Sequence, residues 1–495
     1  MASKLRIALA AGDGIGPEIM EAVRGIFQAA GVDEHIDFVP VEMGERVFTT
    51  GDSRGMTDDA TQAVEDTGLL FKGPMGTPIG GGGKSINVTL RKMYGAFCNL
   101  RHFQTLPKVD TVYSKAGVPV DFYVVRENIE DTYGGIEHRL TNDVVECKRL
   151  ISAPGCDAVH AEAFRTASRL GIDKVHCGHK ANIMKMTDGL FLERFRVIAR
   201  DHPEIEIEDV IIDALCMKLV LKPQDFKMVV LPNLQGDIVS DLAAGLVGGL
   251  GFAPSANIGK HVSIFEAVHG TAPDIAGQNK ANPTSLLLSG IMMLRHIGML
   301  KQAAHIENAL IRTLETGIHT GDFGDGSSAS VGTREFGEAI AGNIGSVPDS
   351  REPTPVPEQD APSHTRPERP TANELRQTFT QVTSRHVGAD LYIDTTMPAA
   401  ELATHLERLV EATPFKLTMM SNRGTQVWPS GSIFTDCVDY WRVRFEVRDP
   451  ATKGSFSQGP LISLLGKIAE KFLITDFQPL KEFDGKPGYS LAQGQ

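Results

Sequence analysis

Residues 72–91 of this 495-residue chain read KGPMGTPIGGGGKSINVTLR. Glycines allow the backbone to approach a ligand closely, and fixed cations together with amide donors hold a multiply charged anion. A lone arginine is usually a solvated surface charge, but a set of polar residues beside a glycine loop favours an anion site. The polar residues of this set and the two arginines that follow it are Lys72, Ser85, Asn87, Arg91, Arg101 and Arg126.

The segments on either side of this stretch predict an α/β core. Residues 5–10 (LRIALA) have the composition of a buried strand. A helix is expected from about Pro17, because proline is favoured in the first turn of a helix. Short β-branched runs alternate with helical stretches such as 286–300, which is typical of α/β proteins. These runs lie at residues 122–125, 210–212 and 228–231.

A glycine turn, GDGIG, follows the first strand at residues 12–16. Its position suggests a Rossmann dinucleotide site, but the spacing is G-x-G-x-G rather than G-x-G-x-x-G. We therefore favour a tight strand-to-helix turn without a nucleotide role. A true Rossmann dehydrogenase stays open as an alternative.

Three aspartates are candidate metal ligands. Asp237 and Asp241 lie four residues apart, so on a helix both point to one face. Like charges at this spacing repel and need a cation, and a set of oxygen ligands suits Mg²⁺ or Mn²⁺. Asp213 is expected at the end of the 210–212 strand. An exposed acidic helix face is the alternative interpretation.

Two other segments carry polar residues in unusual surroundings. Lys180 follows an expected strand at residues 174–177. A lysine buried near a metal and other cations loses proton affinity and can act as a base, although most lysines have no such role. Residues 269–277 (HGTAPDIAG), continuing to Asn282, contain too much glycine and proline for a helix and predict a long ordered loop.

Composition excludes several classes of protein. The chain is 41% hydrophobic, which excludes disorder throughout, and its net charge of −13 disfavours nucleic acid and anionic membranes as partners. The six cysteines form no C-x-x-C pair and are interpreted as reduced thiols. The first residues lack the pattern of a signal peptide, and the uncharged run 242–259 contains five glycines and a proline. We therefore expect a soluble, cytoplasmic protein.

The C-terminal part of the chain has its own pattern. Seven of the 23 residues from 348 to 370 are proline, which predicts an exposed, semi-rigid linker. Beyond it, strand and helix patterns follow in the order β-α-β-β-α-β, which is typical of a ferredoxin-like α+β domain. No catalytic constellation occurs in this part.

Together, five motifs in the expected order within residues 4–342 resemble the β-decarboxylating dehydrogenases, and among them the isocitrate dehydrogenases. The extra C-terminal domain resembles that of a long bacterial form. The resemblance implies a two-lobed isocitrate/isopropylmalate dehydrogenase-like α/β fold that is distinct from the Rossmann fold. It divides the chain into a large domain (1–104 and 248–345), a small domain (105–247, with a dimer-forming clasp near 135–165), a linker with a connecting helix (346–387) and the C-terminal α+β domain (388–495).

The resemblance also implies roles for the candidate residues. The anion-binding set would hold the substrate carboxylates, Tyr133 and Lys180 would be the catalytic pair, and Asp213, Asp237 and Asp241 would bind the metal. Lys180 and Asp213 would come from the partner subunit of a homodimer, and a higher oligomer built from such dimers stays open. The dinucleotide would contact Thr77 at its nicotinamide end and otherwise His269, Gly270, Thr271, Ala272, Asp274, Ile275 and Asn282.

Substrate and cofactor follow from particular side chains. Ser85 and Asn87 supply donors for a third carboxylate, which favours isocitrate over 3-isopropylmalate, since an apolar substrate would leave them unpaired.

NADP-dependent relatives tend to carry Lys-Tyr where this chain has Asp274 and Ile275, so NAD is expected. The predicted reaction is oxidative decarboxylation of isocitrate to 2-oxoglutarate and CO₂, a step of the tricarboxylic acid cycle. An NADP-dependent enzyme, a homoisocitrate or 3-isopropylmalate dehydrogenase, and a non-catalytic regulatory subunit are the alternatives.

Overall fold

The computed structural model of the chain describes residues 4–52, 54–76, 85–323, 330–360, 382–431, 434–454 and 458–491. The predicted contact at Thr77 and most of the predicted connecting helix lie outside these residues. Contacts divide the chain into two units. Unit one comprises Met1–Gly134 and Arg149–Leu375, and unit two comprises Gly135–Lys148 and Arg376–Gln495.

The bounds of the helices and strands are as follows. The helices are α1 Gly16–Ala29, α2 Glu45–Thr49, α3 Asp58–Thr67, α4 Ile86–Met93, α5 Val112–Ala116, α6 Ala153–Leu170, α7 Thr187–Ile198, α8 Ile212–Leu221, α9 Asn233–Leu246, α10 Thr284–His296, α11 Leu300–Glu315, α12 Thr333–Gly342, α13 Ala399–Val410 and α14 Gly459–Ala469. The strands are β1 Leu5–Ala10, β2 Ile36–Pro40, β3 Leu69–Lys72, β4 Cys98–Gln104, β5 Asp121–Glu127, β6 Glu137–Arg139, β7 Val145–Cys147, β8 Lys174–His179, β9 Glu206–Ile211, β10 Met228–Leu231, β11 Pro254–Ile258, β12 Ser263–Ala267, β13 Ser384–Asp394, β14 Phe415–Asn422, β15 Thr425–Trp428, β16 Tyr440–Val447, β17 Leu473–Phe483 and β18 Lys486–Pro487.

Unit one is built on one large mixed sheet. Its strand order is β2-β1-β3-β12-β11-β4-β5-β10-β8-β9 in the part of the chain that the structure describes. The pairs that β4 forms with β5 and β11 are antiparallel, as is β11 with β12, whereas the pairs toward both edges are parallel. This order differs from the 3-2-1-4-5-6 order of a Rossmann fold, so the Rossmann alternative is wrong.

The glycine turn at residues 12–16 packs against two other loops. Gly12 has a φ of +83°, and a Cβ there would lie 2.3 Å from the carbonyl oxygen of Pro74. A Cβ on Gly14, with a φ of +57°, would lie 2.1 Å from the carbonyl oxygen of Thr271. The Ile15 amide donates to the same Thr271 oxygen at 2.9 Å. The glycines are therefore needed for backbone packing, and the turn supports the loop that begins at residue 269.

Two local predictions need correction. Asp213 was expected at the end of a strand, but β9 ends at Ile211 and Asp213 lies in the first turn of α8. The apolar stretch 286–300 was expected to be one helix, but α10 ends at His296 and α11 begins at Leu300. Gly298, with a φ of +83°, separates the two because a left-handed residue ends a helix.

Unit two contains an antiparallel sheet of order β15-β14-β16-β13-β17-β18. Helices α13 and α14 cover one face, where alternate residues of the strands, such as Leu391 and Val443, are fully buried. The ferredoxin-like α+β prediction is confirmed, since the β-α-β-β-α-β order and the four central strands are present. The extra strand β15, which pairs with β14 through a short turn, was not predicted.

A hairpin formed by β6 and β7, called here the 137–147 hairpin, also belongs to unit two. The Thr141 hydroxyl donates to Asp439 at 2.7 Å, and Lys148 pairs with Asp476 at 3.4 Å. The chain thus enters unit two for fourteen residues and returns to unit one at Arg149.

None of the described helices is both long enough and apolar enough to cross a membrane. The uncharged run 242–259 instead forms the end of α9, a short 3₁₀ turn and strand β11.

Candidate active site

Adjacent parts of the unit-one sheet bring the predicted cations together. Lys72 ends β3, Arg101 lies in β4 and Arg126 lies in β5, while Arg91 lies on α4. The side chains of Lys72, Arg101 and Arg126 are each at most 5% exposed. Ser85 directly precedes α4 and Asn87 lies in its first turn, so the predicted substrate set occupies β3, β4, β5 and one helix.

The guanidinium groups of this set are crowded and incompletely paired. Nη1 of Arg101 and Nε of Arg91 are shielded from solvent and have no hydrogen-bond partner among the described residues. Burial, together with the nearby charges of Arg126 and Arg91, lowers the pKa of Arg101 to about 10. Buried charged donors without partners are costly, so this arrangement needs an anionic ligand.

Glu266 partly offsets these charges. Its carboxylate is 5% exposed, lies 2.5 Å from Nζ of Lys72 and accepts from Arg91 at 3.1 Å. Burial alone would raise the pKa of Glu266, but Lys72 and Arg91 outweigh it and hold the pKa at about 2. Sequence reasoning missed Glu266, although an acidic residue in the otherwise apolar strand SIFEA was an available signal.

Buried asparagines connect Glu266 to Arg101. The amide of Asn257 donates to Glu266 at 2.8 Å, and its oxygen accepts from Asn99 at 2.9 Å. The oxygen of Asn99 in turn accepts from Nε of Arg101 at 2.8 Å. This chain of hydrogen bonds runs across β12, β11 and β4 and fixes the orientation of the Arg101 guanidinium.

Tyr133 is linked through Asp237 to Arg126, one of the predicted anion-binding residues. The Tyr133 hydroxyl donates to Asp237, which also pairs with Arg126. Asn233, at the start of α9, accepts from Nε and Nη2 of Arg126 at 2.9 and 2.7 Å. Burial and the hydrogen bond to Asp237 raise the pKa of Tyr133, so its hydroxyl keeps its proton near neutral pH. Asp237 and Asp241 both lie on α9, which confirms the predicted helix.

Lys180 and Asp213 form a separate pair. Lys180 follows β8, and its ammonium contacts the Asp213 carboxylate, whose pKa is lowered by the hydrogen bond from Lys180. Among the described residues, no three acidic, histidine or cysteine side chains lie close enough to hold a metal ion. Within one chain, therefore, Asp213 does not lie close enough to Asp237 and Asp241 to bind the same metal ion.

Apolar residues are exposed on the helices near these aspartates. On α8, Met217, Val220 and Leu221 are 56%, 45% and 68% exposed, and on α9 Ile238 is 60% exposed. Contiguous exposed apolar surface is unusual on a monomer and is typical of an interface.

The loop that begins at His269 has the predicted irregular conformation, apart from a 3₁₀ turn at Pro273–Ile275. Within the part of the chain that the structure describes, Nε2 of His269 is shielded from solvent and has no hydrogen-bond partner. Asn282 donates to Asp322 at 3.1 Å, and its oxygen accepts from the Thr284 amide. Gly270, Thr271, Ala272 and Ile275 lie on the loop as predicted, and Asp274 is exposed.

A cavity of about 390 Å³ lies at the end of this loop. Lys280, Gly321, Asp322, Ser330 and Val331 line it. Sequence reasoning missed Lys280, which adds a positive charge beside the predicted dinucleotide loop.

A family model described as isocitrate/isopropylmalate dehydrogenase matches residues 6–340. The chain belongs to the isocitrate/isopropylmalate dehydrogenase family. A second model, bacterial isocitrate dehydrogenase C-terminal domain, matches residues 384–495. The resemblance to the long bacterial form, and the fold it implies, are therefore confirmed.

Members of the family resemble the chain over its whole length. "Isocitrate dehydrogenase [NADP]" of Thermus thermophilus is 40% identical, over 99% of this chain and 96% of that protein. A crystal structure of a protein from Thermus thermophilus is 40% identical, with a TM-score of 0.88 over 99% of this chain and 96% of the other. "Isocitrate dehydrogenase [NAD] catalytic subunit 5, mitochondrial" of Arabidopsis thaliana is 46% identical, over 67% of this chain and 87% of that protein.

The prediction of NAD as the cofactor is overturned by these comparisons. Six relatives that match 99% or more of the chain are named as NADP enzymes, whereas the NAD-named plant subunit covers only two thirds of it. The sequence argument relied on Asp274 alone. That carboxylate is exposed, so solvent and salt screen its repulsion of a 2′-phosphate, and Lys280, which lines the cavity at the end of the same loop, adds a positive charge to the loop.

Proposed function

We propose that the chain is an isocitrate dehydrogenase that uses NADP and a divalent cation, Mg²⁺ or Mn²⁺, to convert isocitrate into 2-oxoglutarate and CO₂. The observation that carries the proposal is the buried, incompletely paired guanidinium cluster of Arg91, Arg101 and Arg126. Such a cluster is built to bind an anion with several carboxylates. The names of the full-length relatives support the choice of substrate and cofactor.

Charge balance supports a tricarboxylate. Lys72 and the three arginines carry one more charge than the three carboxylates of Glu266, Asp237 and Asp241. A divalent cation and a substrate with three carboxylates together bring the sum to zero. A dicarboxylate would leave an excess positive charge in a largely buried site, which is unfavourable. Asn87 lies in the first turn of α4, and its side-chain NH₂ group is a donor for the third carboxylate.

The carboxylates of Asp237 and Asp241 fit a hard divalent cation, since oxygen ligands are those that Mg²⁺ and Mn²⁺ prefer. We infer that Asp213 of the partner subunit completes the set, because within one chain it lies apart from the other two. Lys180, which contacts Asp213, would enter the same site from the partner.

The residues of the chain suggest how the proton transfers occur. Lys180 accepts the proton of the substrate hydroxyl after releasing its own proton to solvent, and Tyr133, whose raised pKa keeps it protonated, donates a proton to the carbon from which CO₂ departs. Arg91, Arg101 and Arg126 orient the carboxylates throughout. NADP, when bound, would supply the hydride acceptor, and a divalent ion held by Asp237 and Asp241 would supply the positive charge that stabilises the substrate oxygens.

The exposed apolar residues of α8 and α9 support a homodimer as the active form. These helices carry Asp213, Asp237 and Asp241, so an interface formed by them would bring the metal ligands of two chains together. A closed two-fold dimer would then contain two equivalent active sites.

A hybrid dimer tests the shared site. A Tyr133→Phe chain and a Lys180→Met chain, co-expressed with different affinity tags, give hybrids that can be purified through both tags. Each homodimer is expected to be inactive, whereas the hybrid retains one intact site and about half of the wild-type kcat per dimer. Activity is followed as NADP reduction with isocitrate and Mg²⁺. An inactive hybrid would contradict the shared site, and wild-type enzyme that reduces neither nicotinamide would contradict the activity itself.

A further inference from the structure

A buried ion network lies between Tyr133 and Lys180. Arg149, whose side chain is 16% exposed, pairs with Asp131 and with Asp188, and both carboxylates are fully buried. Nε of Arg149 donates to Asp131 at 2.5 Å, and Nη1 donates to Asp188. The proposed reaction assigns no role to any of these three residues.

One end of the network fixes the loop of Tyr133. Asp131 lies two residues before Tyr133 and has a left-handed backbone, with a φ of +67°. Its carboxylate also accepts from the amides of Thr132 at 2.8 Å and Leu234 at 3.0 Å. The 3₁₀ turn that carries Tyr133 is therefore tied both to the start of α9 and to Arg149.

The other end fixes the backbone of Lys180. Asp188 accepts from the Lys180 amide at 2.6 Å and from the side-chain amide of Gln235 at 2.8 Å. Every carboxylate oxygen of Asp131 and Asp188 thus has at least one donor, and Arg149 is the group that contacts both. Fully satisfied buried networks are rigid, because each broken contact leaves a buried charge uncompensated.

We infer that Arg149 is a positioning residue that couples the two active sites of the dimer, because it orients Tyr133 for one site and Lys180 for the other. This inference rests on the proposed function, in which Lys180 acts in the partner's site. A shift of Lys180 in one chain is then transmitted through Asp188, Arg149 and Asp131 to the tyrosine of the opposite site. Arginine is required because its planar fork contacts two carboxylates at once, whereas lysine presents a single point charge.

The hybrid dimer gives a direct test, because its single intact site takes Tyr133 from the Lys180→Met chain and Lys180 from the Tyr133→Phe chain. Arg149→Lys is added to one chain at a time. We expect kcat of the intact site to fall about tenfold or more in either case, since small displacements of reacting groups have effects of this size. The KM for isocitrate should change by less than about twofold, because the substrate arginines are untouched.

Gln235→Met is a second, milder variant. It removes a hydrogen bond to Asp188, the carboxylate that fixes the backbone of Lys180, and leaves the hydrogen bonds of Asp131 in place. It should lower kcat when placed in the Tyr133→Phe chain, which supplies the working lysine, and have much less effect in the other chain. Arg194→Lys is the matched control, since Arg194 makes a two-point contact with one part-buried carboxylate, that of Asp157, and contacts neither Asp131 nor Asp188 among the hydrogen bonds described for it. It should leave the hybrid's kcat unchanged.

The outcomes separate the two proposals. An active hybrid whose kcat is unaffected by Arg149→Lys in both chains overturns the coupling and leaves the proposed function standing. If kcat falls when Arg149→Lys is placed in one chain but not when it is placed in the other, the coupling is also overturned, since Arg149 would then serve a single site. An inactive hybrid overturns the shared site and with it the coupling. Melting curves and gel filtration on each hybrid establish that the variants are folded dimers.

Discussion

At the scale of single residues, Glu266 shows how a buried carboxylate makes a cationic site tolerable. It pairs with Lys72, which is 1% exposed, and with Arg91. Without it, two buried cations would face each other and the substrate-free site would be costly to maintain. The same carboxylate opposes the binding of an anion by Lys72 and Arg91, so Glu266 stabilises these buried cations at the expense of their affinity for anions.

Glu266→Gln should therefore lower the free energy of unfolding at neutral pH by about 3–5 kcal/mol, the cost of breaking a buried pair. The difference from wild type should shrink in acid. Because the folded pKa of Glu266 is about 2 and its ordinary value is 4.5, its stabilising effect is complete above about pH 4.5 and is lost as the pH falls through 2. Urea unfolding at pH 7 and at pH 3 measures both effects.

Glu42→Gln is the control, since Glu42 pairs with Arg46 on the surface and both side chains are more than 60% exposed. Its unfolding midpoint should match that of wild type. Equal stability of Glu266→Gln and wild type at pH 7 would show that the Lys72 pair contributes nothing.

At the scale of elements, the glycine turn after β1 supports the loop that begins at His269. Its contacts to Thr271 are made by backbone atoms, so the position of that loop depends on the absence of a side chain at Gly14. The sequence alone could not reveal this role. The glycine spacing shows a turn, but the partner loop lies more than 250 residues away.

Gly14→Ala should displace the loop at Thr271, because the new Cβ would lie 2.1 Å from its carbonyl oxygen. We expect the KM for NADP to rise about tenfold or more, with a smaller change in the KM for isocitrate. Gly25→Ala on α1 is the control, since a Cβ there meets nothing within 4 Å, and it should be neutral or slightly stabilising. Steady-state kinetics with each substrate varied in turn distinguishes these results, and an unchanged KM for NADP would separate the turn from cofactor binding.

Elements with strong local patterns were predictable, and long-range pairings were not. Strands Leu5–Ala10 and Met228–Leu231 have the predicted bounds, because largely apolar runs define them locally. The four-residue spacing of Asp237 and Asp241 likewise predicted that both lie on one helix. The pairing of Glu266 with Lys72 depends on the parallel register of β12 and β3, which no local pattern encodes. The cofactor prediction failed for a related reason, since the exposure of Asp274 and the position of Lys280 are properties of the folded loop.

At the scale of the whole molecule, unit two is assembled from two distant parts of the chain. The 137–147 hairpin has two strands of three residues, and a hairpin of this size is marginally stable on its own. Its contacts to Asp439 and Asp476 supply the missing stability.

Asp439→Ala should loosen the 137–147 hairpin, because the buried Thr141 hydroxyl loses its acceptor. Hydrogen exchange followed by mass spectrometry should show faster exchange in peptides that cover residues 135–148, by about five- to tenfold for a loss of about 1 kcal/mol. Asp449→Ala is the control, since its carboxylate accepts only from the nearby Ala451 amide among the hydrogen bonds described for it. Equal exchange in both variants would mean that Asp439 does not hold the hairpin.

Because unit two is formed by two distant segments of the chain, its two parts are synthesised at different times. Thr141 leaves the ribosome 298 residues before Asp439 exists to accept its hydrogen bond. At bacterial and eukaryotic elongation rates this interval is roughly 15–60 s, far longer than a hairpin needs to form or dissolve. Throughout that time the 137–147 hairpin presents short, unpaired strand edges, while the rest of unit one and then the C-terminal part of unit two are still being synthesised. The yield of native enzyme should therefore depend on translation speed and on the chaperones that meet the chain at this stage.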